Sequence, residues 1–177
     1  MKQRATILFG DESAFYLLPS VVRTWAREGQ TPLLRPMTRK EHLSVASAIS
    51  LQGELITKTQ ESAFNGSGTV AFLKHLLKEV EGKIVLIWDG AKIHHCQEVK
   101  AFLKSDEAKR LRLIRLPAYA PEINPDEGVW RWLKRELGNA CCKCLSELTQ
   151  KLRQAVGQLR RKPQVIQAFF QMAGLQN

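Results

Sequence analysis

Apolar residues recur along this chain with two different periods, and the change between them divides it in two. Residues 5–10, ATILFG, form a short apolar run that ends at Asp11, Glu12 and Ser13. The run predicts a strand whose C-terminal end delivers a carboxylate. After the loop around Pro19, VVRTWA (21–26) alternates enough for a second strand, closed by the turn-rich REGQTP. From His42 to Leu51 the pattern places Leu43, Val45, Ser47, Ile49 and Leu51 on one face. Gln52 and Gly53 then turn the chain into ELITKTQE, its hairpin partner. Three to four antiparallel strands therefore come first.

The period then lengthens. NGSG (65–68) reads as a loop, and TVAFLKHLLKEV (69–80) carries a helical stripe through Val70, Leu73, Leu76 or Leu77, and Val80. IVLIW (84–88) is apolar throughout, as a central strand covered on both faces must be, and it terminates in Asp89. A short helix near 97–105, a strand LRLIRL (111–116) and a helix after Asn124 follow. From Leu145 the residues Leu148, Leu152, Val156 and Leu159 keep helical spacing, RRKP (160–163) breaks it, and VIQAFFQM (165–172) forms a last helix. A meander followed by alternating units predicts an α/β fold, a mixed five-stranded sheet flanked by helices. Residues 1–140 are expected to form its main body and 141–177 a C-terminal helical extension of the same domain.

Composition adds a partner. The 177 residues, 44% hydrophobic and 25% charged, are those of an ordinary globule, but the net charge is +10 and the pI near 9.7. Such a surplus favours nucleic acid, with an anionic membrane surface as the weaker alternative. No apolar run reaches the length of a membrane span and MKQRATILFG lacks a signal-peptide core. The expected location is the cytoplasm, with the four cysteines reduced.

The stretch Leu116–Leu137, LPAYAPEINPDEGVWRWLKREL, concentrates the chemistry. Asn124 suits a helix N-cap, Pro125 the first helical position, and Asp126 and Glu127 the positive end of the helix. Val129, Trp130 and Leu133 make an apolar face, and Arg131, Lys134 and Arg135 a basic one suited to DNA contact. Acids complementing a helix dipole are the commoner use of such residues. Yet Asp11 and Asp89 also stand at strand ends, where sites gather in sheets with parallel strands. Converging with Glu127, they would repel one another unless a cation sat between them. All-oxygen ligation of that kind selects Mg²⁺ or Mn²⁺, and a pair of such ions is a standard means of cutting and joining phosphodiesters.

The segments ILFGDESAF, RTWAREGQTP, IVLIWDGAKIHHC and LPAYAPEINPDEGVWRWLK, in this order over about residues 5–137, resemble DDE-superfamily endonucleases. More narrowly, they resemble bacterial insertion-sequence transposases related to the mariner group. The resemblance implies an RNase H-like fold and a catalytic, metal-holding triad of Asp11, Asp89 and Glu127, with 37 residues between the last two. It implies Mg²⁺ as cofactor, replaceable by Mn²⁺ and bound as two ions. The reaction would be cleavage and strand transfer of DNA during transposition of an insertion sequence. It further implies element-end and target DNA as partners, a homodimer in the active complex, and no membrane role. Two departures stand out: Gly90 follows Asp89 where many relatives carry Asn, and Met1 sits just before the first strand. The helix-turn-helix region usual upstream is therefore expected on a separate or upstream segment. A nuclease of the same fold without end recognition, and an inactive basic DNA-binding remnant, are the alternatives.

Other residues carry weaker expectations. Neighbours on a helix point about 100° apart, so only one of Asp126 and Glu127 can face a site; the family pattern selects Glu127. Glu12 should point to the face opposite Asp11. Glu12 and His94 could stand behind the triad, although a plain loop histidine fits His94 as well. Cys141, Cys142 and Cys144 include a C-x-x-C, but no second pair stands at zinc-ribbon spacing. Trp25, Trp130 and Trp132 could stack on bases, with Trp130 fitting the core face.

Overall fold

Alternation along the first strand sorts its side chains onto two faces, and each face meets its own layer of helices. The computed structural model describes residues 5–18, 23, 25–30, 33, 41–117 and 120–175. Its strands are β1 (Thr6–Tyr16), β2 (His42–Ser50), β3 (Leu55–Gln60), β4 (Ile84–Trp88) and β5 (Leu111–Arg115). They form one sheet in the order β3-β2-β1-β4-β5. The first three are antiparallel, and β4 and β5 run parallel to β1. The mixed five-stranded sheet expected from the sequence is therefore present.

The helices are α1 (Gly66–Glu79), α2 (Gln97–Leu103), α3 (Asp126–Glu136), α4 (Leu145–Arg160) and α5 (Pro163–Met172). On one side of the sheet Leu8, Ala46, Ala48 and Leu86 pack with Phe72, Leu73 and Leu76 of α1 and with Val99 and Phe102 of α2. On the other, Phe9, Phe15, Val45 and Ile49 meet Val129, Trp130 and Leu133 of α3 and the apolar stripes of α4 and α5. Helices α4 and α5, from the stretch 141–177 expected as an extension, thus contribute to the same core as β1. Phe170 of α5 meets Phe9 edge to face, the centroids 5.5 Å apart.

Three expectations are corrected. β1 does not end at Gly10 but continues to Tyr16, because its pairing with β2 runs from Leu8 to Tyr16 and accommodates Asp11 and Glu12. Asp11 is thus within a strand. The residues expected as a strand at 21–26 include Arg23, Trp25 and Ala26, which lie in no strand; Val21, Val22 and Thr24 lie outside the described residues. NGSG is not wholly a loop: α1 begins at Gly66 because the Asn65 side chain accepts the Gly68 N–H at 2.9 Å.

Gly128 shows how tightly α3 and α5 are fitted. A Cβ there would collide with the ring and Cβ of Phe169. Gly128→Ala gains about 1 kcal/mol of helix propensity, but overpacking of this kind costs roughly 1–3 kcal/mol. We expect a net loss of stability, read as a lowered urea midpoint at unchanged slope.

Candidate active site

The parallel seam of the sheet opens the site. β1 pairs with β4 only from Thr6 to Phe9. Beyond that point β4 ends and delivers Asp89, while β1 continues alongside β2 and carries Asp11. A crevice at the carboxyl end of parallel strands results, the usual place for a site in such sheets.

Helix α3 is brought to that crevice by Asn124. Its backbone is extended, its side-chain oxygen accepts the Asp126 N–H at 3.2 Å, and its carbonyl accepts the Glu127 N–H. Asn124 therefore supports the helix start through its side chain, although the N-cap is Pro125 and not Asn124 as expected, since the regular turn starts only at Asp126. Its amide also donates to the Gly10 carbonyl at 3.4 Å, which ties the helix start to β1. Asp11, Asp89 and Glu127 all line one cavity of about 390 Å³, together with Gly90, Arg115 and Asn124.

Each acid there has a different environment. Asp11 accepts the Glu12 N–H at 2.8 Å through Oδ1 and the Trp130 indole N–H at 2.9 Å through Oδ2. Burial outweighs both bonds and, with the charges of Glu127 and Glu12, pushes its pKa up to about 7. Asp126 turns away from the cavity into the core. Ser47 donates to its Oδ2 at 2.6 Å, its Oδ1 has no partner, and burial raises its pKa well above the carboxylate range. Glu127, its neighbour, lines the cavity instead.

Asp89 is held by the loop that follows it. Its Oδ1 accepts the Ala91 N–H at 3.0 Å and lies 2.9 Å from His94 Nδ1. The His94 hydrogen bond is the main reason its pKa is lowered. His94 is buried, stacks on Trp88 at 3.8 Å and places Nε2 2.9 Å from Glu12 Oε1. Burial opposes its charge, but the bonds to Asp89 and Glu12 win and push its pKa up to about 9. Trp88 donates to the other Glu12 oxygen at 3.1 Å. Glu12 thus sits on the face opposite Asp11, as strand alternation requires, and a string Trp88–Glu12–His94–Asp89 runs behind the cavity.

Among the described residues, Glu12, Asp89 and His94 are the group whose ligand atoms all lie within 4.8 Å of one another. Asp11, Asp89 and Glu127 are not such a group; what they share is the lining of the cavity. Arg131, Lys134 and Arg135 are exposed on α3 and do not line the cavity. Trp25 is fully exposed, and Lys162 lies 5.6 Å over the Trp132 ring. Trp130 is buried as expected, and its bond to Asp11 is an addition that apolar spacing cannot reveal. Arg115 was also missed, since nothing in LRLIRL distinguishes it from a solvated basic residue. All four cysteines are free, with Cys142 buried.

The family model of DDE superfamily endonucleases matches residues 6–149. The chain belongs to this family. It is 25% identical over 150 residues to the insertion element IS630 uncharacterized 39 kDa protein of Shigella sonnei, covering 83% of this chain and 43% of that protein. It therefore spans less than half the length of that relative. Among solved structures it is similar to the Mos1 mariner paired end complex with Mn, at TM-score 0.70 and 14% identity, over 96% of this chain and 54% of that one. It is also similar to the Mos1 transposase catalytic domain with raltegravir and Mn, at TM-score 0.65 and 11% identity, over 96% and 80%. These likenesses show the fold: this DDE endonuclease has the RNase H-like sheet expected from its sequence. Among the described residues no helix is long and apolar enough to cross a membrane.

The raised pKa of Asp11 makes stability depend on pH. A carboxyl whose folded pKa is about 7 against 3.8 unfolded contributes most when protonated, and the contribution is lost as pH rises through 7. Buried Asp126 acts in the same direction. His94 loses its contribution only as pH rises from 6.5 through 9, and lowered Asp89 loses its own only on acidification below 3.8. Metal-free protein should therefore lose stability from pH 5 to 6.5. Asp11→Asn should flatten that slope by up to about 1.4 kcal/mol per pH unit, one proton's worth, in urea melts run with chelator.

Proposed function

We propose that this DDE endonuclease is the catalytic domain of an insertion-sequence transposase, cutting DNA at element ends and joining it to a target. The observation that carries the reading is the single cavity lined by Asp11, Asp89 and Glu127 at the end of the parallel seam. Their all-oxygen donor set, with one further acid, Glu12, close enough to be felt at Asp11, fits hard divalent cations. Asp11, Asp89 and Glu127 would hold Mg²⁺, or Mn²⁺ in its place, as two ions. Bound there, such ions supply Lewis-acid stabilisation of the reacting phosphodiester and its attacking and leaving oxygens.

The chain's own residues have separate tasks. Asn124 holds Glu127 at the mouth of the crevice, Trp130 orients the Asp11 carboxylate, and the Glu12–His94 pair orients Asp89. In the cleavage step a water oxygen bonds to phosphorus and the bond to the 3′ oxygen breaks, leaving a 3′-hydroxyl and a 5′-phosphate. In strand transfer that 3′-hydroxyl attacks a target phosphodiester and displaces another 3′ oxygen, so phosphodiester bonds are exchanged without an oxidant or energy source.

Basic residues outside the cavity, Arg131, Lys134 and Arg135 among them, supply phosphate contacts. Helices α4 and α5 act as an integral part of the catalytic domain, since they complete its core. End recognition falls to a helix-turn-helix region on an upstream or separate segment, and the acting form is a homodimer on DNA in the bacterial cytoplasm.

The test is a gel shift across salt concentrations together with plasmid nicking. The protein should bind DNA with steep salt dependence and little sequence preference, since phosphate neutralisation by its surplus of ten positive charges releases counterions whatever the sequence. It should nick plasmid with Mn²⁺ or Mg²⁺. Glu127→Gln should lower nicking on the order of a hundredfold or more, the worth of several kcal/mol of charge stabilisation, and leave binding nearly unchanged. Binding without nicking in either metal would favour an inactive DNA-binding remnant. Equal nicking by wild type and Glu127→Gln would move the active site elsewhere.

In the same preparation, Mn²⁺ should raise the melting temperature by binding the folded state, by about 2.7 kcal/mol of stability at a hundredfold excess over Kd. Asp89→Asn should reduce that response.

A further inference from the structure

Gly90 leaves room for a neighbour rather than for itself. A Cβ at this position would overlap the Nε, Cζ and Nη2 atoms of Arg115. The guanidinium therefore occupies the space that a side chain next to Asp89 would fill. Strand pairing puts it there: Arg115 is the last residue of β5, in register with Trp88, and the Leu116 N–H donates to the Trp88 carbonyl at 2.7 Å. The extended chain after Trp88 then passes Gly90 beneath the guanidinium.

Arg115 lines the same cavity as Asp11, Asp89 and Glu127. Its charge favours the ionised form of Asp89, yet among the described residues it makes no ion pair within 4.0 Å. His94 already occupies Asp89 Oδ1. A cation left unpaired beside three carboxylates that must gather divalent metal would repel that metal. The arrangement makes chemical sense if the guanidinium is matched by an anion that arrives with the substrate. Guanidinium forks fit the two non-bridging oxygens of a phosphate, and the cavity is open enough to admit one.

We infer that Arg115, seated against Gly90, is a phosphate-binding residue of this cavity that holds the non-bridging oxygens of the bound DNA strand. The inference rests on the phosphodiester chemistry proposed for the same site. A competing role is purely local: Arg115 could merely keep Asp89 ionised and in place. The two roles differ in their effect on metal. A phosphate-binding Arg115 is dispensable for metal binding, and its removal takes one repelling charge from the neighbourhood of Asp89. An Arg115 that shapes Asp89 is needed for metal binding.

Two variants separate these roles. Arg115→Gln deletes the charge. Gly90→Ala keeps the charge but pushes the guanidinium out of its seat, at small cost in stability because the displaced group is the end of a flexible side chain. The probe is thymidine 3′,5′-bisphosphate, titrated calorimetrically into the full chain with Ca²⁺, with unphosphorylated thymidine as control. Wild type should bind the bisphosphate and not thymidine. Both variants should bind it roughly ten- to hundredfold more weakly, the range of a charge-assisted hydrogen bond. The Mn²⁺-induced rise in melting temperature should be kept or enlarged in Arg115→Gln, and nicking should fall in both variants.

Unchanged bisphosphate affinity in Arg115→Gln, or no binding by wild type, would overturn the inference, as would loss of the Mn²⁺ response. Full affinity in Gly90→Ala would overturn the seat against Gly90. If wild type binds bisphosphate through Arg115 but never nicks DNA, the proposed reaction falls while the phosphate site stands. Nicking that does not depend on Arg115 has the opposite meaning.

Discussion

Like charges crowded into one end of a sheet are the constraint on which this structure turns. Asp11, Glu12, Asp89, Asp126 and Glu127 share one neighbourhood, in which burial and the charges of Glu12 and Glu127 raise the proton affinity of Asp11 and Asp126. Each is relieved in a different way. Asp126 is buried against Ser47, and burial raises its proton affinity, while Glu12 is matched by His94 and the Trp88 indole. Asp89 shares the same His94 from its other ring nitrogen. Asp11 takes one N–H from the backbone and one from Trp130. Glu127 alone is left facing the cavity without such a partner on the described residues. The remaining repulsion suits the cavity to the cations proposed for it.

Much of this was legible in the sequence because it follows from local rules. Period-two alternation marked β2 and β3, a continuous apolar run marked β4, and the Asn-Pro-Asp-Glu sequence marked the start of α3. The acids at 11, 89 and 127 could be singled out because each stands just past an apolar run or at the start of a helix. What escaped depends on contacts between residues far apart in the chain. β1 continues past Asp11 because β2 pairs with it there, and no local signal distinguishes that from a loop. Trp130 reads as a core residue, and it is one, but only the packing of α3 on β1 brings its N–H to Asp11. Arg115 and Gly90 become neighbours only once β4 and β5 lie side by side.

The two faces of the sheet divide the labour. The α1 and α2 side carries the string from Trp88 through Glu12 and His94, which reaches Asp89 from behind. The α3, α4 and α5 side carries Trp130, Asn124 and Glu127. Asp11 and Glu12 are adjacent in β1 and point to opposite faces, so one backbone segment holds both halves of the site in register. A shift of β1 by one residue would exchange the two carboxylates and leave each facing the other's partners.

The packing of α5 has a consequence for the order of events at the ribosome. Phe170 lies on Phe9 and Phe169 against Gly128, so the core around Asp11 and the seat of the Glu127 helix both wait for residues 163–172. Synthesis delivers β1 early and this helix much later, at a pace slow compared with the formation of single helices and hairpins. A nascent chain already carries Asp11, Asp89 and Glu127 before it has anything to brace them. The site is therefore assembled only after α5 has been made, and a chain interrupted before α5 carries all three acids without the packing that positions them.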